Sequence, residues 1–247
     1  MCGGRGTRLG DGEKPLAPVA GRSMVDRALD ALAASRVETA YTAVSPHTPK
    51  TRERLVERRD CDEGGRSGDG TEPEAGSLKL VVVDTPGDGY VADLQLAMAE
   101  GPTAPTLTLA VDLPLLDGAA VDAVLDAHAA ADAEALSVRV PAARKRELGA
   151  SADAASRYDD GGGGGDSPAE RVPAGINVVG ALDGAGDEAV RATRDARLAV
   201  NVNRPGDRRL AERILAGGQD APALPSDGVD WLDAGDMGAT SEGGDPL

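Results

Sequence analysis

The chain has 247 residues, enough for one α/β domain with insertions or at most two small domains, and 40% of it is hydrophobic. Aromatic residues make up only 2%, with no Phe, so the core has to be built from Ala, Val and Leu. A formal net charge of −16 excludes the basic surface that a nucleic-acid backbone demands.

In chain order, the first feature is Gly3-Gly4-Arg5-Gly6-Thr7-Arg8, followed by Lys14-Pro15-Leu16. Glycines let a backbone approach a polyphosphate and turn its N–H groups inward. Arg8 and Lys14 add positive charge where a leaving pyrophosphate gains negative charge. A Walker A loop is excluded because GxxxxGK[ST] is absent. A dinucleotide fingerprint is excluded because Gly4-Arg5-Gly6-Thr7-Arg8-Leu9 ends on Leu. Thereafter, helical patterns at 24–34, 51–59, 92–100, 119–131 and 207–216 alternate with strand patterns at 37–44, 78–84, 106–112, 135–140 and 176–179. This alternation predicts a Rossmann-like α/β fold, a mostly parallel sheet with helices on both faces.

Three stretches read as loops. Residues 62–77 and 159–167, the second with five consecutive glycines, are surface insertions in a domain spanning 1–216. Residues 217–247 carry seven carboxylates and no Lys or Arg, and read as an acidic, disordered tail, although Trp231 suggests that part of it docks. Lysine occurs only at Lys14, Lys50, Lys79 and Lys145. Many carboxylates with few lysines suit a halophilic protein, because concentrated salt screens self-repulsion. Cys2 and Cys61 form neither a CxxC pair nor a zinc framework. No signal peptide and no membrane span is visible, so a cytoplasmic location is expected.

Asp112 ends the apolar run Leu107-Thr108-Leu109-Ala110-Val111, and a carboxylate at the C-terminal end of a parallel strand faces the ligand crevice. Such a hard oxygen ligand suits Mg²⁺, with a helix cap as the alternative. Asn201 and Asn203 precede Pro205 and a helical run, where asparagine satisfies backbone groups. Gly175 stands between a proline-bearing turn and an apolar strand, and the segment 85–90 follows another strand and carries Gly87 and Gly89.

The loop GGRGTR with KPL downstream resembles the activating loop of the nucleotidyltransferases, a superfamily that includes the sugar-1-phosphate nucleotidyltransferases and the molybdenum-cofactor guanylyltransferase. Further segments resemble the archaeal adenosylcobinamide-phosphate guanylyltransferases: Val44-Ser45-Pro46-His47-Thr48-Pro49-Lys50-Thr51, Val83-Asp84-Thr85-Pro86-Gly87-Asp88-Gly89-Tyr90, Val172-Pro173-Ala174-Gly175-Ile176-Asn177-Val178-Val179 and Val200-Asn201-Val202-Asn203. The resemblance implies a fold of the nucleotide-diphospho-sugar transferase type, Mg²⁺ as cofactor, GTP as donor and adenosylcobinamide phosphate as acceptor. It implies catalytic roles for Arg8, Lys14 and Asp112, with Asp112 on the metal. It places Gly3, Gly4, Gly6, Thr7, Thr85, Gly87, Gly89, Tyr90, Gly175 and Asn201 around the nucleotide. His47 is not assigned as a base, since the acceptor phosphate is already an anion. The alternatives are a molybdopterin or sugar 1-phosphate acceptor, or a nucleotide-binding regulator without catalysis. A homodimer is compatible with the sequence, which does not fix the oligomeric state.

One departure stands out. The glycine loop of this superfamily follows a buried central strand, and here Met1 is almost inside the loop. Losing that strand would open the sheet at its middle. The expectation is that the natural chain begins upstream of Met1.

Overall fold

The computed structural model describes residues 1–2, 9, 12–64, 78–152, 170–181, 186–218 and 221–232. Lys14–Leu16 forms a single 3₁₀ turn that buries Pro15. A short antiparallel hairpin, β1 (Pro18–Val19) and β2 (Arg22–Ser23), leads into helix α1 (Met24–Ala33). Ser23 caps α1 by accepting from the Asp26 N–H at 3.2 Å, which satisfies one of the free donors of the first turn.

Strand β3 (Thr39–Val44) pairs in parallel with β4 (Lys79–Asp84), and α2 (Pro49–Gly64) connects them. α2 runs three residues into the expected 62–77 insertion; residues 65–77 lie outside the described set. The pleat sends alternate side chains to opposite faces. Ala40 and Val44 join Leu80 in a cluster with Val25, Ala28 and Leu29 of α1 and Leu55 of α2. Tyr41 and Ala43 join Val81 and Val83 against Ala97 of α3 (Tyr90–Ala99). This pair of strands is therefore covered on both faces, as the sequence predicts.

The second sheet departs from expectation. Its order is β5 (Thr106–Leu109), β7 (Arg171–Val179), β6 (Ala135–Pro141), β8 (Glu188–Ala192). β7 runs antiparallel to both β5 and β6, and only β6 and β8 are parallel. The architecture is α/β with mixed rather than mostly parallel strands. The reading from alternation missed this because 5 of the 9 residues of β7 precede Ile176 and include Pro173 and Gly175, which mask a strand pattern. The interior of this sheet packs Leu136, Val138, Ile176 and Val178 against Val121 and Val124 of α4 (Gly118–Ala129), and against Leu198 and Ala199 of the short α6 (Ala196–Ala199). α5 (Ala142–Leu148) and α7 (Pro205–Leu215) complete the fold.

Between the free edges of β3 and β5, the Cys2 N–H donates to Ala43 O and the Met1 ammonium to Leu109 O. Beyond these two residues lies an apolar slot of about 110 Å³, walled by Leu29 and Leu32 of α1, Leu94 and Met98 of α3, and the edges of both strands.

The chain after 217 is not uniformly a tail. Within 221–232, Ala221 and Leu224 pack on the first cluster and Val229 and Trp231 on the second. Trp231 forms a bridge with Thr193, and the Leu232 N–H donates to Ala192 O at 2.8 Å. Residues 233–247 and the glycine-rich 159–167 stretch lie outside the described residues. Among the described residues, no helix is long and apolar enough to cross a membrane.

Candidate active site

Asp112 stands three residues beyond the end of β5, because the ladder gives way to a single bond from the Ala110 N–H to Gly175 O at 2.7 Å. Four other segments converge on it. Lys14 of the 3₁₀ turn donates to Asp112 Oδ2 at 2.7 Å and to Asn203 Oδ1 at 2.7 Å. Asn201 Nδ2 donates to Asp112 Oδ1 at 3.3 Å and to Ala174 O at 3.1 Å. Lys145 of α5 donates to Asn201 Oδ1 at 2.6 Å. The Val202 N–H donates to Asp112 O at 2.9 Å, tying the two backbones together.

The bulge in β7 is what makes room for Asn201. Ser137 faces Asn177 and Arg139 faces Pro173, so Val138 alone on β6 opposes Ala174, Gly175 and Ile176 on β7. At the centre of the bulge Gly175 has φ +92°, and a Cβ there would stand 3.1 Å from Asn201 Nδ2. The bulge also directs Ala174 O to Asn201, while Asn177 Oδ1 accepts from the Val138 N–H at 3.0 Å. The segment Val172–Val179 thus bends a strand so that one carbonyl meets the site.

A second motif anchors the lysine turn. Glu13 accepts from the Lys50 and Thr51 N–H groups at 2.8 and 2.6 Å and from the Thr51 hydroxyl at 2.6 Å. Its carboxylate caps the start of α2 and fixes the residue before Lys14. Partial burial pushes the Glu13 carboxyl up, but the hydrogen bonds from Thr51 and Lys50 outweigh it and leave the group below its usual range. Burial likewise acts on Lys145, which is 3% exposed; its ammonium is pushed down to about 8, with the nearby Asp112 and Asp207 charges opposing the shift.

A cleft of about 350 Å³ opens beside Lys14 and Asp112, with His47, Gly87, Gly89, Tyr90 and Asp93 on its far wall. Gly87 (φ +79°) packs on Ser45 and His47; a Cβ there would stand 3.0 Å from Ser45 Cβ and 3.1 Å from the His47 ring, so both would have to give by a few tenths of an ångström. The Gly87 N–H donates to Asp93 Oδ1 at 2.9 Å, which holds the loop over the N-terminus of α3. Thr85 does not reach the cleft: its hydroxyl donates to Val44 O at 3.0 Å. Gly3, Gly4, Gly6, Thr7 and Arg8 lie outside the described residues, but Cys2 and Lys14, which flank them, both line the cleft.

Three site residues escaped the sequence reading. Asn203 read as a turn residue, although the i, i+2 spacing of Asn201 and Asn203 in extended chain sets both on one side. Asp93 falls in the predicted helical pattern 92–100 with no local signal of its own. Lys145 sits between the strand pattern 135–140 and the glycine-rich 159–167 stretch, where no element is predicted; its one signal is rarity, since the chain has four lysines and two of them meet here.

Oxygen donors of the kind Mg²⁺ takes are present: Asp112 Oδ2 and Asn203 Oδ1 already converge on one cation, the Lys14 ammonium. Among the described residues no group of three or more His, Cys, Asp or Glu could cage a metal by itself. The site thus fits an ion held by one carboxylate and completed by substrate phosphates and water.

A family model described as the MobA-like NTP transferase domain matches residues 1–172. The chain belongs to the MobA-like NTP transferase family. As a member it is a nucleotidyltransferase, and the match takes in the glycine loop, Lys14, Asp112 and Lys145. It ends before Gly175, Asn201 and Asn203, which the hydrogen bonds and contacts above join to the site. Over 220 residues the chain is 30% identical to the adenosylcobinamide-phosphate guanylyltransferase of Methanocaldococcus jannaschii, covering 87% of this chain and 95% of that protein. Two solved structures share the fold at 14% identity. The inositol-1-phosphate CTP transferase from T. maritima superposes with a TM-score of 0.54, covering 90% of this chain and 96% of that one. Molybdopterin-guanine dinucleotide biosynthesis protein A from Archaeoglobus fulgidus gives 0.51, covering 88% and 97%. The expected nucleotidyltransferase fold class therefore stands.

Proposed function

We propose that the protein transfers GMP from GTP to adenosylcobinamide phosphate, releasing pyrophosphate and forming adenosylcobinamide-GDP. The observation that carries this reading is the 30% identity to the M. jannaschii guanylyltransferase across nearly the whole of both chains. The convergence of Lys14, Asp112, Asn201 and Asn203 beside an open cleft supplies the chemistry it needs.

In the proposed reaction an acceptor phosphate oxygen forms a bond to the α-phosphorus of GTP. The bond from that phosphorus to the bridging oxygen of the β-phosphate breaks, and pyrophosphate departs in line. The attacking oxygen is already anionic, so no general base is required, and positioning and electrostatics carry the rate. Lys14 and Arg8 stabilise the charge that grows on the leaving pyrophosphate, with the N–H groups of the glycine loop. Mg²⁺, when bound to Asp112, would neutralise phosphate charge and orient it. Gly87, Gly89 and Tyr90 are the proposed wall for the base. We further assign the reaction to the cytoplasm of a cell with concentrated internal salt, in keeping with the charge of −16.

Pyrophosphate release is the test, in high salt with Mg²⁺, pairing GTP or ATP with cobinamide phosphate, a molybdopterin analogue or glucose 1-phosphate. Turnover confined to GTP with cobinamide phosphate is expected. Turnover with another acceptor would replace the substrate assignment, and silence across the panel would favour a nucleotide binder without catalysis.

A further inference from the structure

Lys145 takes no part in the transfer chemistry above, yet it is a buried ammonium at the back of the site. Burying such a charge is costly unless something specific repays it. Asp112 and Asp207 lie close enough to favour its charge, but its hydrogen bond goes to a neutral group, Asn201 Oδ1. That choice of partner has a chemical consequence. An asparagine amide has one end that accepts and one that donates, and rotating it by half a turn exchanges them. A lysine ammonium can only donate and a backbone carbonyl can only accept. Asn201 is gripped by one of each: Lys145 on Oδ1 at 2.6 Å, and Ala174 O on Nδ2 at 3.1 Å. The amide is therefore held in one sense, with its N–H₂ end toward Asp112. Asn203 is held in the opposite sense, its Oδ1 toward Lys14. Two asparagines a residue apart thus offer the site a donor and an acceptor respectively.

We propose that Lys145 is a positioning residue that fixes the polarity of the Asn201 amide, so that Asn201 presents N–H, and not C=O, to Asp112 and to an anionic group bound beside it. Of the two hydrogens on Nδ2, one is held by Ala174 O and the other, on the longer bond, steadies Asp112 Oδ1 and is the donor an anion bound beside Asp112 would share, while the amide oxygen is withheld from any metal. The identity of the anion as a nucleotide phosphate rests on the function proposed above; the polarity of the amide does not.

The test is a double-mutant cycle on the full chain, read by calorimetric binding of Mg·GTP. Lys145→Met should weaken binding about tenfold, the equivalent of one charge-assisted hydrogen bond. In the Asn201→Ala background the same change should alter affinity by no more than about twofold, because Lys145 acts through Asn201. Equal losses in both backgrounds would overturn the proposal, since Lys145 would then act on the ligand directly. Should Lys145→Met fail to fold, Asn201→Asp is decisive: it keeps an oxygen for Lys145 but replaces the donor with a second oxygen. It should bind Mg·GTP worse than Asn201→Ala, and wild-type affinity would overturn the proposal. A third readout needs no nucleotide. The Asn201 side-chain NH₂ resonances, assigned by their loss in Asn201→Ala, should resist solvent exchange in the wild type and lose that protection in Lys145→Met. Unchanged protection would sink the proposal, whereas a wild-type chain that binds no Mg·GTP would sink only the functional reading.

Discussion

Gly175→Ala probes the geometry of the site with a single methyl group. Gly175 has φ +92°, a region L side chains rarely adopt, and holding alanine there costs about 1–2 kcal/mol. The added Cβ would also stand 3.1 Å from Asn201 Nδ2 and 3.4 Å from Ala110 Cβ. Asn201 must then retreat by a few tenths of an ångström, stretching its bond to Ala174 O, which is worth about 0.5–1.5 kcal/mol. Together these give about 2–3 kcal/mol of destabilisation, and a lowering of Tm by roughly 4–12 °C for a chain of this size. Calorimetry in high salt measures the first effect, and kcat/KM for GTP, expected to fall at least about tenfold, measures the second. In an Asn201→Ala background the backbone strain persists while the collision disappears, so the stability loss should shrink toward about 1–2 kcal/mol. An unchanged Tm together with unchanged kcat/KM would refute both the strain and the contact.

Lys14→Ala removes the cation shared by Asp112 and Asn203 and should lower kcat by about two orders of magnitude or more, measured by pyrophosphate release, with little change in Tm. Lys145 makes stability depend on pH. Its folded value of about 8 lies below the ordinary lysine value of 10.5, so between those pH values the unfolded chain binds a proton that the native chain does not, and stability rises with pH. Urea titrations should show the wild type gaining about 3 kcal/mol relative to Lys145→Met between pH 7 and 11, with Asp112 and Asp207 the charges that moderate the shift. Arg197 is fully buried and donates to Asp195, Asp117 and Gly228 O. Arg197→Met leaves the Asp195 carboxylate buried without its partner, a cost of about 3–5 kcal/mol, and releases the 221–232 segment. Trp231 is the only tryptophan, so its fluorescence should shift to the red, and an unshifted spectrum would disprove the linkage.

The sequence discloses the site unevenly, for physical reasons. Lys14 and Asp112 are legible because each stands next to a local signal, a glycine loop in one case and the end of an apolar run in the other. The bulge in β7 is not legible: Pro173 and Gly175 look like loop residues until the partner strand shows one residue facing three. The antiparallel insertion of β7 between β5 and β6 is a matter of long-range pairing, which no local pattern encodes. Lys145 is hidden for a related reason. A lysine in a short, mixed-charge stretch is ordinarily a solvated residue, and only the packing of α5 behind Asn201 makes it a buried one.

The charges resolve an apparent conflict between an acidic chain and a polyanionic substrate. A surface carrying −16 repels a triphosphate at long range, so attraction must come from groups within contact distance. The cluster at the site is itself balanced, with the ammonium groups of Lys14 and Lys145 facing the carboxylates of Asp112 and Asp207. Asp207 is nevertheless spoken for: it accepts from the Ser151, Asn203 and Arg204 N–H groups and from the Ser151 hydroxyl. Lys145 is spent on orienting Asn201. Among the described residues the free electrostatic capacity therefore lies in Lys14 and Asp112, whose ion pair at 2.7 Å the metal and phosphate of the proposed reaction would have to share or part. At 1 M salt the screening length falls to about 3 Å, comparable to that contact, so the long-range repulsion vanishes while the contact interactions remain. An acidic nucleotidyltransferase can work in concentrated salt because its binding chemistry is confined within that distance.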